Sequence, residues 1–216
     1  MEYVRTFAQV GAGDVALVGG KGANLGELVR AGLPVPDGVV LTTGAYAAVA
    51  AGIDVRAPGV QEAFLGRAVP AEVAVEIRAA YAGLGGGPVA VRSSATAEDL
   101  ADASFAGQQE TFLDVRGEDA VLDAVVRCWA SLWTPRAIDY RARRGVAPED
   151  VRLAVVIQRM ADAEASGVLF TAEPTTGRRD RVVVSCSVVV VVLDENTGGA
   201  GGSAGGAASS LLESRK

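Results

Sequence analysis

The spacing of apolar residues along this chain changes several times, and each change marks an element. Residues 3–18 read as short strands around a turn at 11–14. In the following stretch, GGKGANLGELVRAG, Leu25, Leu28 and Val29 fall on one helical face, and Gly32 suits a C-terminal stop. LPVPDGVVLTTGAYAAVA then predicts a Pro-bounded turn, a strand at 39–41, and a helix capped by Thr42 or Thr43. Val73, Ile77 and Leu84 recur at near-helical spacing, which predicts a helix over 70–84, and the Gly-rich stretch 83–88 breaks it.

Past that break the pattern turns mainly to strands: 89–91, 110–115, the continuous apolar run 151–160, 167–171 and 181–187. Between them, 119–143 reads as a long helix with Trp129 and Trp133 one turn apart, which Pro135 either bends or restarts. The order is mixed, so the expected class is α+β, in two lobes at residues 1–87 and 88–193. Residues 194–216 form a Gly/Ala/Ser-rich tail too poor in apolar surface to offset the entropy of ordering, so disorder is expected there. The valine run before it could pair as an edge strand or aggregate.

Composition narrows the function classes. The formal charge of −6 argues against a nucleic-acid or anionic-membrane partner. No apolar run reaches the ~20 residues of a membrane span, and the start of the chain lacks a signal-peptide layout, so the expected location is cytoplasmic. Cys128 and Cys186 have no metal-ligand spacing and read as reduced, buried thiols. The chain contains no histidine, which excludes a histidine general base and any phosphohistidine within this sequence.

An acidic protein that binds a polyanion must concentrate its positive charges. In VAVRSSATAEDLADASFAGQQETFL an apolar strand delivers Arg92 to an Arg-Ser-Ser turn and then to a segment of small residues. A guanidinium pairs bidentately with phosphate oxygens, and small residues let backbone amides approach an anion. Ion pairing with Glu98 or Asp99 is the structural alternative for Arg92. Lys21 sits in a Gly-rich turn opening a helix, where it is either an anion contact or a solvated surface lysine. Ser104, Phe105, Ala106, Gly107 and Gln108 form either a plain turn or a flap over phosphates, and Gln158 and Met160 end a buried strand whose edge would suit an adenine ring. Two nucleotide motifs fail: Val15 stands where a P-loop needs its first glycine, with Gly22 after Lys21, and Gly11-Ala12-Gly13 lacks the acidic residue of a dinucleotide fold.

Five blocks occur in order: VGGKGANLGELVRAGLPVPDGVVLTTGAY, VAVRSSATAEDLADASFAGQQETFL, CWASLWTPRAIDYR, VIQRM and SGVLFTAEPTTG. Together they resemble the ATP-binding N-terminal domain of the phosphoenolpyruvate synthase, pyruvate phosphate dikinase and rifampicin phosphotransferase family. The resemblance implies an ATP-grasp-like fold with ATP between two lobes. It implies that Lys21 and Arg92 contact phosphate, that residues 104–108 form the phosphate loop with Thr111 nearby, and that Gln158 and Met160 flank adenine. It implies ATP and Mg2+ as cofactors. The β-phosphoryl group would pass to a histidine on a separate domain supplied in trans, with release of AMP and phosphate. After residues 181–187 the chain departs from the family's Trp-Gly-Leu-Gly-Glu-like segment, leaving Asp194 and Glu195 as the only carboxylates close to the expected metal region. A truncated relative, a non-catalytic nucleotide-binding module and an inactive remnant are the readings that follow.

Overall fold

The computed structural model describes residues 3–96, 110–180, 182–188 and 210–211. Its elements are helical and extended in turn, an α+β chain that divides into two compact units, Met1–Met160 and Ala161–Lys216. Among the described residues no helix is long and apolar enough to cross a membrane.

The first unit is built on five antiparallel strands: β1 (Val4–Thr6), β2 (Gly38–Leu41), β3 (Val89–Ala95), β4 (Thr111–Val115) and β5 (Leu153–Arg159). They lie in the order β1-β2-β5-β3-β4, which puts β5 at the centre. That position explains its unbroken apolar run, because a strand covered on both faces has no solvent side to mark with polar residues. Leu153, Val155 and Ile157 point into the larger core, and Ala154 and Val156 into a smaller one on the other face. Edge strand β4 instead leaves Thr111 and Leu113 exposed and Phe112 and Val115 half-buried. An extra residue at Asp114, whose φ of 54° is left-handed, shifts its register against β3.

Helices α2 (Thr43–Ala50), α3 (Val60–Leu65), α4 (Ala71–Gly83) and α5 (Glu118–Ala130) supply the larger core with Tyr46, Phe64, Ile77 and Trp129. Phe64 stacks between Tyr46 and Trp133, with ring centroids 5.5 and 6.2 Å away. Thr42 occupies the N-cap position of α2 without a capping bond from its side chain, and Thr43 Oγ1 donates to Ala16 O instead.

The expected helix over 119–143 is two helices. A 3-10 turn at Ser131–Trp133 ends α5, and Pro135 restarts the chain as α6 (Pro135–Arg144), where a missing N–H costs nothing. Thr134 caps the restart by accepting from Ala137 N at 3.3 Å. Thr134→Ala is therefore expected to cost about 1 kcal/mol, read as a lower denaturant midpoint.

Three further expectations are corrected. Residues 15–18 are not strand but the opening turn of α1 (Val15–Arg30). Leu28 is 41% exposed, because the buried residues of α1 are Val18, Gly19, Gly22, Ala23 and Gly26. Cys128 is buried, but Cys186 is only half-buried.

In the second unit, β6 (Ala165–Phe170), β7 (Val183–Val188) and β8 (Ser210–Leu211) pair antiparallel in that order. Every residue of β6 is exposed. The two residues of β8 belong to the expected tail; the rest of that tail lies outside the described residues.

Candidate functional site

Gly19 interrupts α1 with φ 69° and ψ 169°, a conformation open essentially to glycine, and the helix restarts at Gly20-Lys21-Gly22. Lys21 is thereby the second residue of a new helix lying over β3. Its Nζ donates to Ser93 O at 2.5 Å.

Arg92 corrects the sequence reading in one respect. It lies inside β3, not in a turn after it, because the strand continues through Ser93 and Ser94 to Ala95. These serines are buried, and their polarity hid the strand's continuation. Arg92 is half-buried and sits in register with Thr111 on β4 and Val156 on β5. Residues directly opposite in an antiparallel pair share a face, so Arg92 and Thr111 stand side by side.

The electrostatics join Lys21 to this pair. Burial, and after it the Arg92 guanidinium, hold the Lys21 ammonium well below the usual lysine range, at about 8. Cys128, on α5 beneath β3, is pushed up to about 12 by burial and then by the Glu110 carboxylate, so at neutral pH it offers Lys21 no counter-charge. The Lys21 ammonium thus lies within the electrostatic influence of a second cation.

The remaining candidates divide. Gln158 is buried on β5 two residues beyond Val156, and its Nε2 donates to Pro36 O at 3.0 Å, tying the strand to the entry of β2. Met160 follows, with its N–H on Pro88 O at 3.0 Å and its side chain half-buried. Ser104, Phe105, Ala106, Gly107 and Gln108 lie outside the described residues, as do Glu98, Asp99, Asp194 and Glu195. No group of three or more His, Cys, Asp or Glu that could hold a metal occurs among the described residues.

Sequence reasoning missed Ser94. Its Oγ accepts from Gly22 N at 3.0 Å and donates to Val18 O at 2.8 Å, which fastens β3 to the break in α1. The available signal was the Gly19-Gly20 pair inside a helical pattern, which marks a place where something approaches the backbone.

This is an α+β domain in which Lys21, on α1, is bonded to the strand that carries Arg92. Comparison with known proteins gives it a family. Residues 15–190 match the pyruvate phosphate dikinase, AMP/ATP-binding domain, and the chain belongs to that family. It is 39% identical to the phosphoenolpyruvate synthase of Pyrococcus furiosus, in an alignment covering 86% of this chain and 30% of that protein. It is 45% identical to a probable phosphoenolpyruvate synthase of Archaeoglobus fulgidus, covering 82% of this chain and 27% of that one. With the rifampicin phosphotransferase of Streptomyces sviceus the identity is 46%, over 82% of this chain and 23% of the relative. The chain thus spans under a third of the length of each of these relatives.

Proposed function

We propose that this chain binds ATP, in an ATP-grasp-like manner, as the nucleotide-binding part of a dikinase-type phosphotransferase. The observation that carries the reading is the attachment of Lys21 to the strand that bears Arg92, in a chain of the AMP/ATP-binding family. Phosphoryl transfer asks a protein for charge neutralisation and alignment more than for covalent help. Lys21 and Arg92 would neutralise phosphate oxygens, with the Thr111 hydroxyl as a neighbouring donor. Residues 104–108 would close over the phosphates, and Gln158 and Met160 would flank the adenine. Mg2+ is expected on the phosphate oxygens of ATP, and no described residue is assigned to it.

The chain has no histidine, so a phosphohistidine intermediate requires another domain. The β-phosphoryl group would pass to that histidine and on to an acceptor. Pyruvate and rifampicin are the acceptors that fit the names of the relatives.

Calorimetric titration of the full chain with ATP tests the site. Arg92→Ala is expected to weaken binding at least about tenfold, the loss of a charge-assisted pair; unchanged affinity would refute the assignment. Release of AMP when a histidine-bearing domain of a relative is added would support the transfer. ATP binding without AMP release would leave a nucleotide-binding module.

A further inference from the structure

In a regular α-helix the N–H of Gly22 would donate to the carbonyl of Val18, four residues back. Here those two groups are separated, and Ser94 Oγ stands between them. It accepts from Gly22 N at 3.0 Å and donates to Val18 O at 2.8 Å, and Ser94 is fully buried. A side chain inserted into the helical hydrogen-bond ladder is a recognised cause of a sharp kink. Gly19 makes room for it: a Cβ there would fall 2.2 Å from Ser94 O and 2.4 Å from Ser94 Oγ. The restarted helix has Gly19 at its N-cap position, with no side chain to satisfy the first amides. Ser94 performs that capping from a strand 72 residues away in sequence.

The neighbouring residue completes the arrangement. Ser93 O accepts from Lys21 Nζ, while Ser94 Oγ holds the amide of Gly22, so adjacent residues of β3 grip Lys21 and the residue after it. The same strand carries Arg92. The separation between the two cations is therefore set by how α1 is locked to β3. Ser94 itself is fixed by the sheet, in register with Ala154 on β5.

We propose that Ser94 is a positioning residue for the phosphate-binding pair, holding the restarted end of α1 on β3 so that Lys21 and Arg92 meet the same anion. The proposal rests on the ATP-binding reading above. Without the hydroxyl, Gly22 and Val18 have two alternatives. They can bond directly, which straightens the helix and turns Lys21 about its axis, or they can stay buried without partners. Either one separates the cations from a common ligand, and neither touches the residues assigned to adenine.

Ser94→Ala in the full chain tests this through binding of ATP and of adenosine, which lacks the phosphates, in the parent and in a Lys21→Met background. The variant is expected to show a cooperative melt, with ATP about tenfold weaker, the scale of one well-placed hydrogen bond. Adenosine binding should stay within about twofold of the parent, and in Lys21→Met the added serine change should have almost no effect on ATP. Equal losses for ATP and adenosine, unchanged ATP affinity, or a full effect persisting in Lys21→Met would each overturn the proposal. If Ser94→Ala does not fold, Ser94→Cys, which keeps the volume and weakens the bridge, is read by the same measurements. A parent chain that binds no ATP refutes the function reading as well, and that result appears before Ser94 is altered.

Discussion

Gly26→Ala is expected to destabilise the first unit by about 3 kcal/mol, the upper range for forcing extra volume into a packed contact. A Cβ at Gly26 would lie 2.1 Å from Val10 O and 3.0 Å from Phe7 O. Both are backbone atoms, so no rotamer change can clear them. The helix must lift off, and lifting it loosens Val18, Ala23, Val40, Ala154 and Val156, which form the smaller core. Gly22 adds to this, since its Cβ would stand 3.1 and 3.2 Å from the two methyl groups of Val40. Denaturant unfolding monitored by circular dichroism reads the change. Gly13→Ala is the control, because no atom lies within 4 Å of its Cβ position, and it should shift stability by under about 0.5 kcal/mol. Equal stabilities for the two variants would mean that α1 does not lie this close to the chain at Val10.

That close approach also shows what hydropathy reading captures. Helix α4 was legible because large apolar residues repeat along it at the helical period, and the central strand β5 because its apolar run is unbroken and short. The buried face of α1 was not legible, because three of its members are glycines at positions 19, 22 and 26, which carry no hydrophobic signal. Leu28 carries that signal and points outward. The end of β3 failed for a related reason. Ser93 and Ser94 look like turn residues, yet they are buried with their polar atoms engaged by Glu110, Lys21, Val18 and Gly22. Pro135 left two options open in sequence, and the Thr134 cap decides between them.

For the site, Lys21 and Arg92 were singled out by residue chemistry and by resemblance, and the structure places them within each other's electrostatic reach. The attachment of α1 to β3 could not be read from sequence, since it depends on a backbone carbonyl 72 residues from Lys21 and a hydroxyl 72 residues from Gly22. Local rules fail most often where a chain holds strain for function. The break at Gly19 and the half-buried lysine beside an arginine fit that pattern.

Lys21→Met is expected to weaken ATP binding about 100-fold at pH 7 and to remove its dependence on pH, while raising the stability of the nucleotide-free protein. The sign follows from the ionisation of Lys21. Its ammonium titrates near 8 in the folded chain against an ordinary value of 10.5, because burial and Arg92 disfavour the charge. Below pH 8 the group is charged in both folded and unfolded chains, and the folded state bears the full penalty. Between about 8 and 10.5 the unfolded chain holds the extra proton, so the penalty fades as pH rises. The nucleotide requires the opposite. Phosphate oxygens favour the ammonium, so ATP affinity should be level up to about pH 8 and then fall roughly tenfold per unit as binding must first recover a proton. Cys128 does not interfere, because a thiol pushed up to about 12 stays neutral throughout this window. The chain contains only two lysines, Lys21 and Lys216, so carbon-13 reductive methylation followed by NMR reads the Lys21 titration once Lys21→Met has identified its signal apart from those of Lys216 and the terminal amine. A Lys21 signal titrating near 10.5, or ATP affinity level from pH 7 to 9.5, would show that this lysine is not held desolvated for an anion. A midpoint near 8, together with a more stable but poorly binding methionine variant, marks a residue kept against stability for the ligand it meets.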